Sequence, residues 1–338
     1  MQTGERKTLK PPNPAKRERN RLLNTAAWYE IDSRLAPQIN PRDSLFVTGF
    51  WRSGTTWLME SLAESLTAKT VFEPLQYFLP DMQPIYSHLQ VLEKGERFLR
   101  YYMPYCAGTL ENPLHDYFDL ALRSALPRHW IRSRRQELAV SRRARVVLTC
   151  IFSQLCLRAV QNTFHLPVIH IYRDPRAVIA SMKKTRNFQF FAAINVSRQL
   201  LKPPDGRAEF FGRWRDEIKD YSEQDGVVQL AAYWALTEKF VQHSFADKPA
   251  RAVFISYEDL GRRRESLLEE SLEQLGLRAL VENGVQVLAD DSSTTSQQQR
   301  GASMTQRISG WRQVLSASEI ASIESIAKKF GFEDRLIS

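Results

Sequence analysis

Cysteine is scarce. Of 338 residues only Cys106, Cys150 and Cys156 carry a thiol, an odd count with no CxxC spacing. That excludes a disulfide framework and a cysteine-based zinc site, and it fits a reducing compartment. No apolar run approaches the roughly 18 residues that span a bilayer. The densest, residues 146–148 with 150–152, stops at Ser153 and Gln154. An apolar secretory segment is also missing from the N-terminus. The 6 histidines show no ligand spacing, so no metal is expected. These absences point to a soluble, cytoplasmic protein with no membrane partner.

Hydrophobic residues at 43% and charged residues at 25% suit a folded globular chain. The formal charge is +9, and part of the excess is local. Residues 1–21 hold Arg6, Lys7, Lys10, Lys16, Arg17, Arg19 and Arg21 against Glu5 and Glu18, with Pro11, Pro12 and Pro14 among them. Residues 1–22 therefore read as a solvated, disordered arm, more a solubilising tail than a nucleic-acid contact. Residues 23–338 read as a single domain. Between 128 and 145, seven arginines face only Glu137, either as a patch for an anionic ligand or as an exposed helix face.

Strand and helix patterns alternate through this domain. Residues 43–48, 145–149, 167–172 and 252–257 read as buried strands. Helices are expected over 55–68, over 153–164, from Pro175 onward, and after the fourth strand, where Asp259 could cap a helix ending near Gly276. This alternation implies an α/β fold: a central parallel sheet with helices on both faces, its ligands bound beyond the carboxyl ends of the strands.

The strongest signal leaves the first strand and opens the first helix: Gly49-Phe50-Trp51-Arg52-Ser53-Gly54-Thr55-Thr56-Trp57. Backbone N–H groups and the positive helix end can converge there on one phosphate. Gly49 and Gly54 keep the glycine separation of the nucleoside-triphosphate loop, but Thr55 stands where that loop has its lysine. A cation sits inside the loop instead, at Arg52, which suits a shorter anion. A second arginine, Arg173, follows the third strand, and Ser181 lies eight residues on, past Pro175. An arginine fork there suits a terminal phosphate.

The segment Arg52-Ser53-Gly54-Thr55-Thr56-Trp57 resembles the 5′-phosphosulfate loop of sulfotransferases that use 3′-phosphoadenosine-5′-phosphosulfate (PAPS). Arg173 and Ser181 fall on the two ligand positions of that family's 3′-phosphate element. The likeness covers residues 43 to 332 and implies the P-loop-like three-layer sulfotransferase fold. It makes Tyr257, in Ser256-Tyr257-Glu258-Asp259-Leu260, and Trp57 candidate contacts of the adenine. Arg300 with Gly301, or Arg307, would close over the 3′-phosphate ahead of Trp311; both registers stay open. The implied reaction moves a sulfonyl group from PAPS to a hydroxyl or nitrogen, leaving adenosine 3′,5′-bisphosphate. Arg52, Thr55, Thr56 and loop N–H groups would stabilise the developing charge.

The base is less plain. The lysine and histidine that many members carry on the second strand are absent from residues 146–152. Other branches use a glutamate after the first helix, and Glu73, between Phe72 and Pro74, matches that position, 21 residues beyond Arg52. Partial desolvation there would raise its pKa toward that of a useful base. His115 and Asp116 are fallback bases. Residues 74–135 and 187–211 are expected to build the pocket and lid for a small organic acceptor, such as a secondary metabolite. Two rivals stand beside this reading: a P-loop kinase or hydrolase, and a non-catalytic binder of adenosine bisphosphate.

Overall fold

A computed structural model describes residues 39–76, 82–123, 145–185, 188–248, 251–287, 292, 295 and 300–337. The basic arm at 1–22 and most of the arginine cluster at 128–145 lie outside the described residues. Five strands form one sheet: β1 Leu45–Gly49, β2 Lys69–Phe72, β3 Val146–Thr149, β4 Val168–Tyr172 and β5 Ala252–Ser256. The order is β2-β3-β1-β4-β5 and every pairing is parallel.

All five residues of β1 are buried. Leu45 and Val47 enter one apolar cluster and Phe46 the other, so alternate side chains feed cores on both faces. That doubly covered geometry is why parallel strands read as continuous apolar runs. One core packs α1 (Thr55–Ser65) and the helices following β5, through Leu58, Leu62, Leu268 and Leu272. The other is larger and takes α2 (Leu114–Leu122), α3 (Leu157–Phe164), α4 (Pro175–Lys183) and α5 (Gly226–Ser244). Past β5 come α6 (Tyr257–Arg262), α7 (Arg264–Gln274), α8 (Met304–Ser309) and α9 (Ala317–Lys329).

The parallel sheet with helices on both faces agrees with the sequence reading, with four local differences. β2 was not anticipated: it is short, lies at the edge, and begins with Lys69 and Thr70, so it has no apolar run. α1 stops at Ser65 rather than reaching residue 68, because the chain must turn at Thr67 (φ +50°) to enter β2. α3 begins at Leu157, not Ser153. The Ser153 hydroxyl donates to Cys150 O at 2.6 Å and holds a short 3-10 turn, Ile151–Ser153, before the helix. Ser256, not Asp259, caps α6, since its hydroxyl accepts from the N–H groups of Glu258 and Asp259.

Pro175 does open α4, behind Asp174, whose carboxylate accepts from the Arg176 N–H. β1 is flanked by β3 on one side and β4 on the other, the arrangement that opens a crevice at the strand carboxyl ends.

Candidate active site

The residues just past all five strands line a single cavity of about 740 Å³. β1 contributes Trp51, Arg52, Gly54, Thr55, Thr56 and Trp57; β2 contributes Glu73 and β3 Ile151; β4 contributes Arg173 and β5 Tyr257.

The loop after β1 is held in an unusual conformation. Arg52 has φ +65° and Gly54 φ +95°, both left-handed. Glycine is required at 54 on two counts. A side chain would be strained at that φ, and a Cβ would stand 2.7 Å from the Tyr257 ring. Thr55 and Thr56, which open α1, line the cavity, and the N–H groups of a helix's first turn stabilise an anion.

Arg52 and Arg173 meet across this loop. Arg52 Nε donates to Ser181 Oγ at 3.1 Å. Arg173 Nη1 donates to the Arg52 carbonyl at 2.9 Å and Nη2 to the Arg307 carbonyl at 2.5 Å. The Arg173 guanidinium also lies 4.3 Å from the centre of the Tyr257 ring. The two anion motifs are thus parts of one connected site. Burial, and next the neighbouring Arg173 charge, pull the Arg52 guanidinium below its ordinary pKa. Such crowding is relieved by an anion. Arg173 Nε is buried with no hydrogen-bond partner among the described residues, a donor that a phosphate oxygen would satisfy.

Glu73 is 3% exposed and has φ +51°. Its N–H donates to Thr149 O at 2.8 Å, and its Oε2 accepts from the Ile151 N–H at 3.0 Å. Burial dominates and pushes its pKa up to about 8, against the opposing hydrogen bond from Ile151. The sequence expectation of a partly desolvated carboxyl understates this: it is a buried acid on the cavity wall.

The other sequence-derived candidates divide. Thr55, Thr56, Trp57, Tyr257, Gly301 and Arg307 line the cavity. Ser53 lies fully buried under the loop and Arg300 is exposed, and neither belongs to the lining. The Arg307 backbone carbonyl accepts from Arg173, and the Arg307 Nε donates to the Ala302 carbonyl at 3.0 Å. His115 and Asp116 sit on α2, away from this cavity. They pair with each other at 3.0 Å, and the His115 ring stacks on Phe164. Neither lines the cavity that holds Arg52. Sequence reasoning missed Trp51, Gln76, Lys184, Arg264 and Trp311 in the lining. Trp51 and Trp311 carried a signal, as tryptophans adjoining the two anion motifs; Lys184 and Arg264 carried none beyond charge.

Among the described residues no group of three His, Cys, Asp or Glu side chains is placed to hold a metal ion. No described helix is long and apolar enough to cross a membrane.

A family model of the sulfotransferase domain matches residues 42–320, so the chain belongs to the sulfotransferase family and is a sulfotransferase enzyme. No curated protein matches it by sequence. Solved structures similar to it include the following three. The sulfotransferase domain from the curacin biosynthetic pathway shares 14% identity over 86% of this chain and 98% of its own, with a TM-score of 0.42. A sulfotransferase of Mycobacterium tuberculosis H37Rv shares 15% over 91% and 81%, with a TM-score of 0.40. A retinol dehydratase in complex with retinol and PAP shares 16% over 92% and 86%, with a TM-score of 0.36.

Proposed function

We propose that the protein transfers a sulfonyl group from PAPS to a hydroxyl, amine or guanidine nitrogen of a small organic acceptor, such as a secondary metabolite, without a metal. One observation carries this reading: the Arg52 and Arg173 motifs, far apart in sequence, join around one cavity while leaving Arg173 Nε unsatisfied. When bound, PAPS would supply the sulfonyl group and a bisphosphate leaving group. Arg173 and Ser181 would hold the 3′-phosphate, with Gly301 and Arg307 closing the same end. Arg52, Thr55, Thr56 and the N–H groups opening α1 would hold the 5′ end. Trp57 and Tyr257 would border the base.

Glu73 is the proposed general base, accepting the acceptor's proton at Oε1 while the Ile151 N–H steadies Oε2. A carboxyl with a pKa near 8 keeps a captured proton that an ordinary surface carboxylate would release. Around it the lining is apolar and aromatic: Trp51, Phe72, Ile151 and Phe191. Trp51 is braced edge-on by Phe152 and Phe191 and stacked on Tyr233, so that wall is rigid. It excludes water and favours an uncharged acceptor.

Incubation with PAPS labelled in sulfur, over a panel of phenols, alcohols and amines, tests the reading, with Arg52→Ala as control. Magnesium-dependent ATP turnover in place of sulfonyl transfer would return the kinase alternative. Binding of adenosine bisphosphate with no transfer to any acceptor would return the non-catalytic one.

A further inference from the structure

The cavity wall holds a cation that neither motif explains. Three successive arginines, Arg262, Arg263 and Arg264, end α6 and begin α7. The first two turn outward to carboxylates, Arg262 to Asp259 at 3.5 Å and Arg263 to Glu270 at 3.3 Å. Arg264 turns the other way, into the cavity, and has no carboxylate partner among the described residues. Its guanidinium lies 6.0 Å from the centre of the Trp57 ring.

That distance is at the long end of the arginine–aromatic contacts, beside Arg198–Phe98 at 5.8 Å and Arg207–Tyr105 at 5.9 Å, and well beyond the tightest ones. Arg176 and Arg312 lie 4.0 and 4.3 Å from Trp311, Arg173 lies 4.3 Å from Tyr257, and Arg335 lies 4.3 Å from Tyr172. Those are closed contacts. At 6.0 Å the Arg264–Trp57 pair is open by comparison, and two flat groups with an aromatic ring between them stand about 7 Å apart, twice an ordinary stacking distance. Both residues face the same cavity, so a small shift of a half-buried arginine side chain completes a slot for one flat heterocycle.

We infer that Arg264 forms the second face of the slot that takes the purine base, a guanidinium plane opposite Trp57, and so selects a nucleoside bisphosphate over the bare sugar bisphosphate. This rests on the proposed nucleotide reading of the cavity. Arginine suits the task because its planar, weakly hydrated cation stacks on aromatic faces, whereas lysine presents only a point charge.

Calorimetric titration of the full chain with adenosine 3′,5′-bisphosphate and with ribose 3,5-bisphosphate, which has the phosphates but no base, separates the possibilities. Arg264→Ala is expected to weaken the nucleotide about five- to tenfold and to leave the sugar bisphosphate within about twofold. Arg264→Lys, which keeps the charge but not the plane, is expected to behave like Arg264→Ala. Equal losses on both ligands would make Arg264 a phosphate contact and overturn the inference, as would no loss on either. Failure of the underlying reading shows in the wild-type protein instead, as adenosine 3′,5′-bisphosphate binding no better than AMP.

Discussion

The Arg52 Nε–H donates to the Ser181 hydroxyl, joining side chains 129 positions apart in the chain. The first belongs to the loop proposed to hold the transferable end of the donor, the second to the element proposed for its far phosphate. While it accepts from Arg52, the Ser181 hydroxyl keeps its own proton to donate, so a phosphate that engages Ser181 would be linked through it to the Arg52 guanidinium. Arg52→Ala is expected to lower kcat by about 10²–10³-fold, the usual effect of removing one donor to developing transition-state charge. Ser181→Ala should chiefly weaken binding of adenosine 3′,5′-bisphosphate. Steady-state transfer rates with calorimetry on both variants check this, and an Arg52→Ala enzyme as fast as wild type sinks the catalytic role.

Glu73 fixes a pH dependence. As a base it must be ionised, so kcat/KM should rise with pH through about 8 and level off above it. Glu73→Gln should abolish that rise and most of the rate. A limb that survives the substitution would assign the titration to another group.

The same carboxyl makes a stability prediction of definite sign. Its pKa is raised from 4.5 to about 8 on folding, so across that window the folded state binds more protons than the unfolded one. Stability from this group is complete below the lower value and is lost as pH rises through the upper. Glu73→Gln cannot ionise. Its thermal midpoint relative to wild type should therefore climb between about pH 4.5 and pH 8 and level off above that. A flat difference across that range would mean the carboxyl stays close to its ordinary pKa.

Gly54→Ala tests the loop. The added methyl meets the Tyr257 ring at 2.7 Å in a backbone conformation of φ +95°. Strain of about 1–2 kcal/mol is expected from the left-handed conformation alone, and displacement of Tyr257 takes away the ring against which Arg173 lies. Both the thermal midpoint and the affinity for adenosine 3′,5′-bisphosphate should fall. Unchanged affinity would show that the loop and Tyr257 are not one unit.

Much of this site was legible because parallel strands announce themselves as apolar runs and anion loops follow them. Arg52, Gly54, Thr56, Arg173, Ser181 and Tyr257 each sit one short step past a buried strand, so locating the strand located the residue. What escaped had another origin. β2 is an edge strand that starts with Lys69 and Thr70, and its four residues show no apolar run. Glu73 was placed by likeness and spacing; its 3% exposure depends on Thr149 and Ile151, supplied by a strand far away in sequence. Arg264 is one of three adjacent arginines, and only the packing of α7 against the sheet decides which turns inward. That the Arg52 and Ser181 motifs touch is tertiary information, and the chain order of the two elements does not contain it.

Behind the site, Glu238 of α5 is fully buried with three partners. Its Oε1 accepts from Gln154 Nε2 at 3.0 Å, its Oε2 lies 3.0 Å from His170 Nε2, and Arg335 Nη1 approaches Oε2 at 2.5 Å. Burial alone would raise this carboxyl, but His170 and then Arg335 outweigh it and hold the pKa near 2. A depressed pKa contributes stability above the ordinary value of 4.5, and that contribution is lost as pH falls toward 2. Removing one partner from a buried charge group is costly, so Glu238→Ala should destabilise by about 3–5 kcal/mol. Glu238→Gln, which keeps the shape and part of the bonding, should cost less. The gap between wild type and Glu238→Gln should narrow from about pH 5 downward, because protonation makes the wild-type carboxyl neutral as well. Chemical denaturation over that range reads the gap directly. A gap that stays constant would show that shape and hydrogen bonding, not the paired charge, hold Arg335 against the Tyr172 ring beside Arg173.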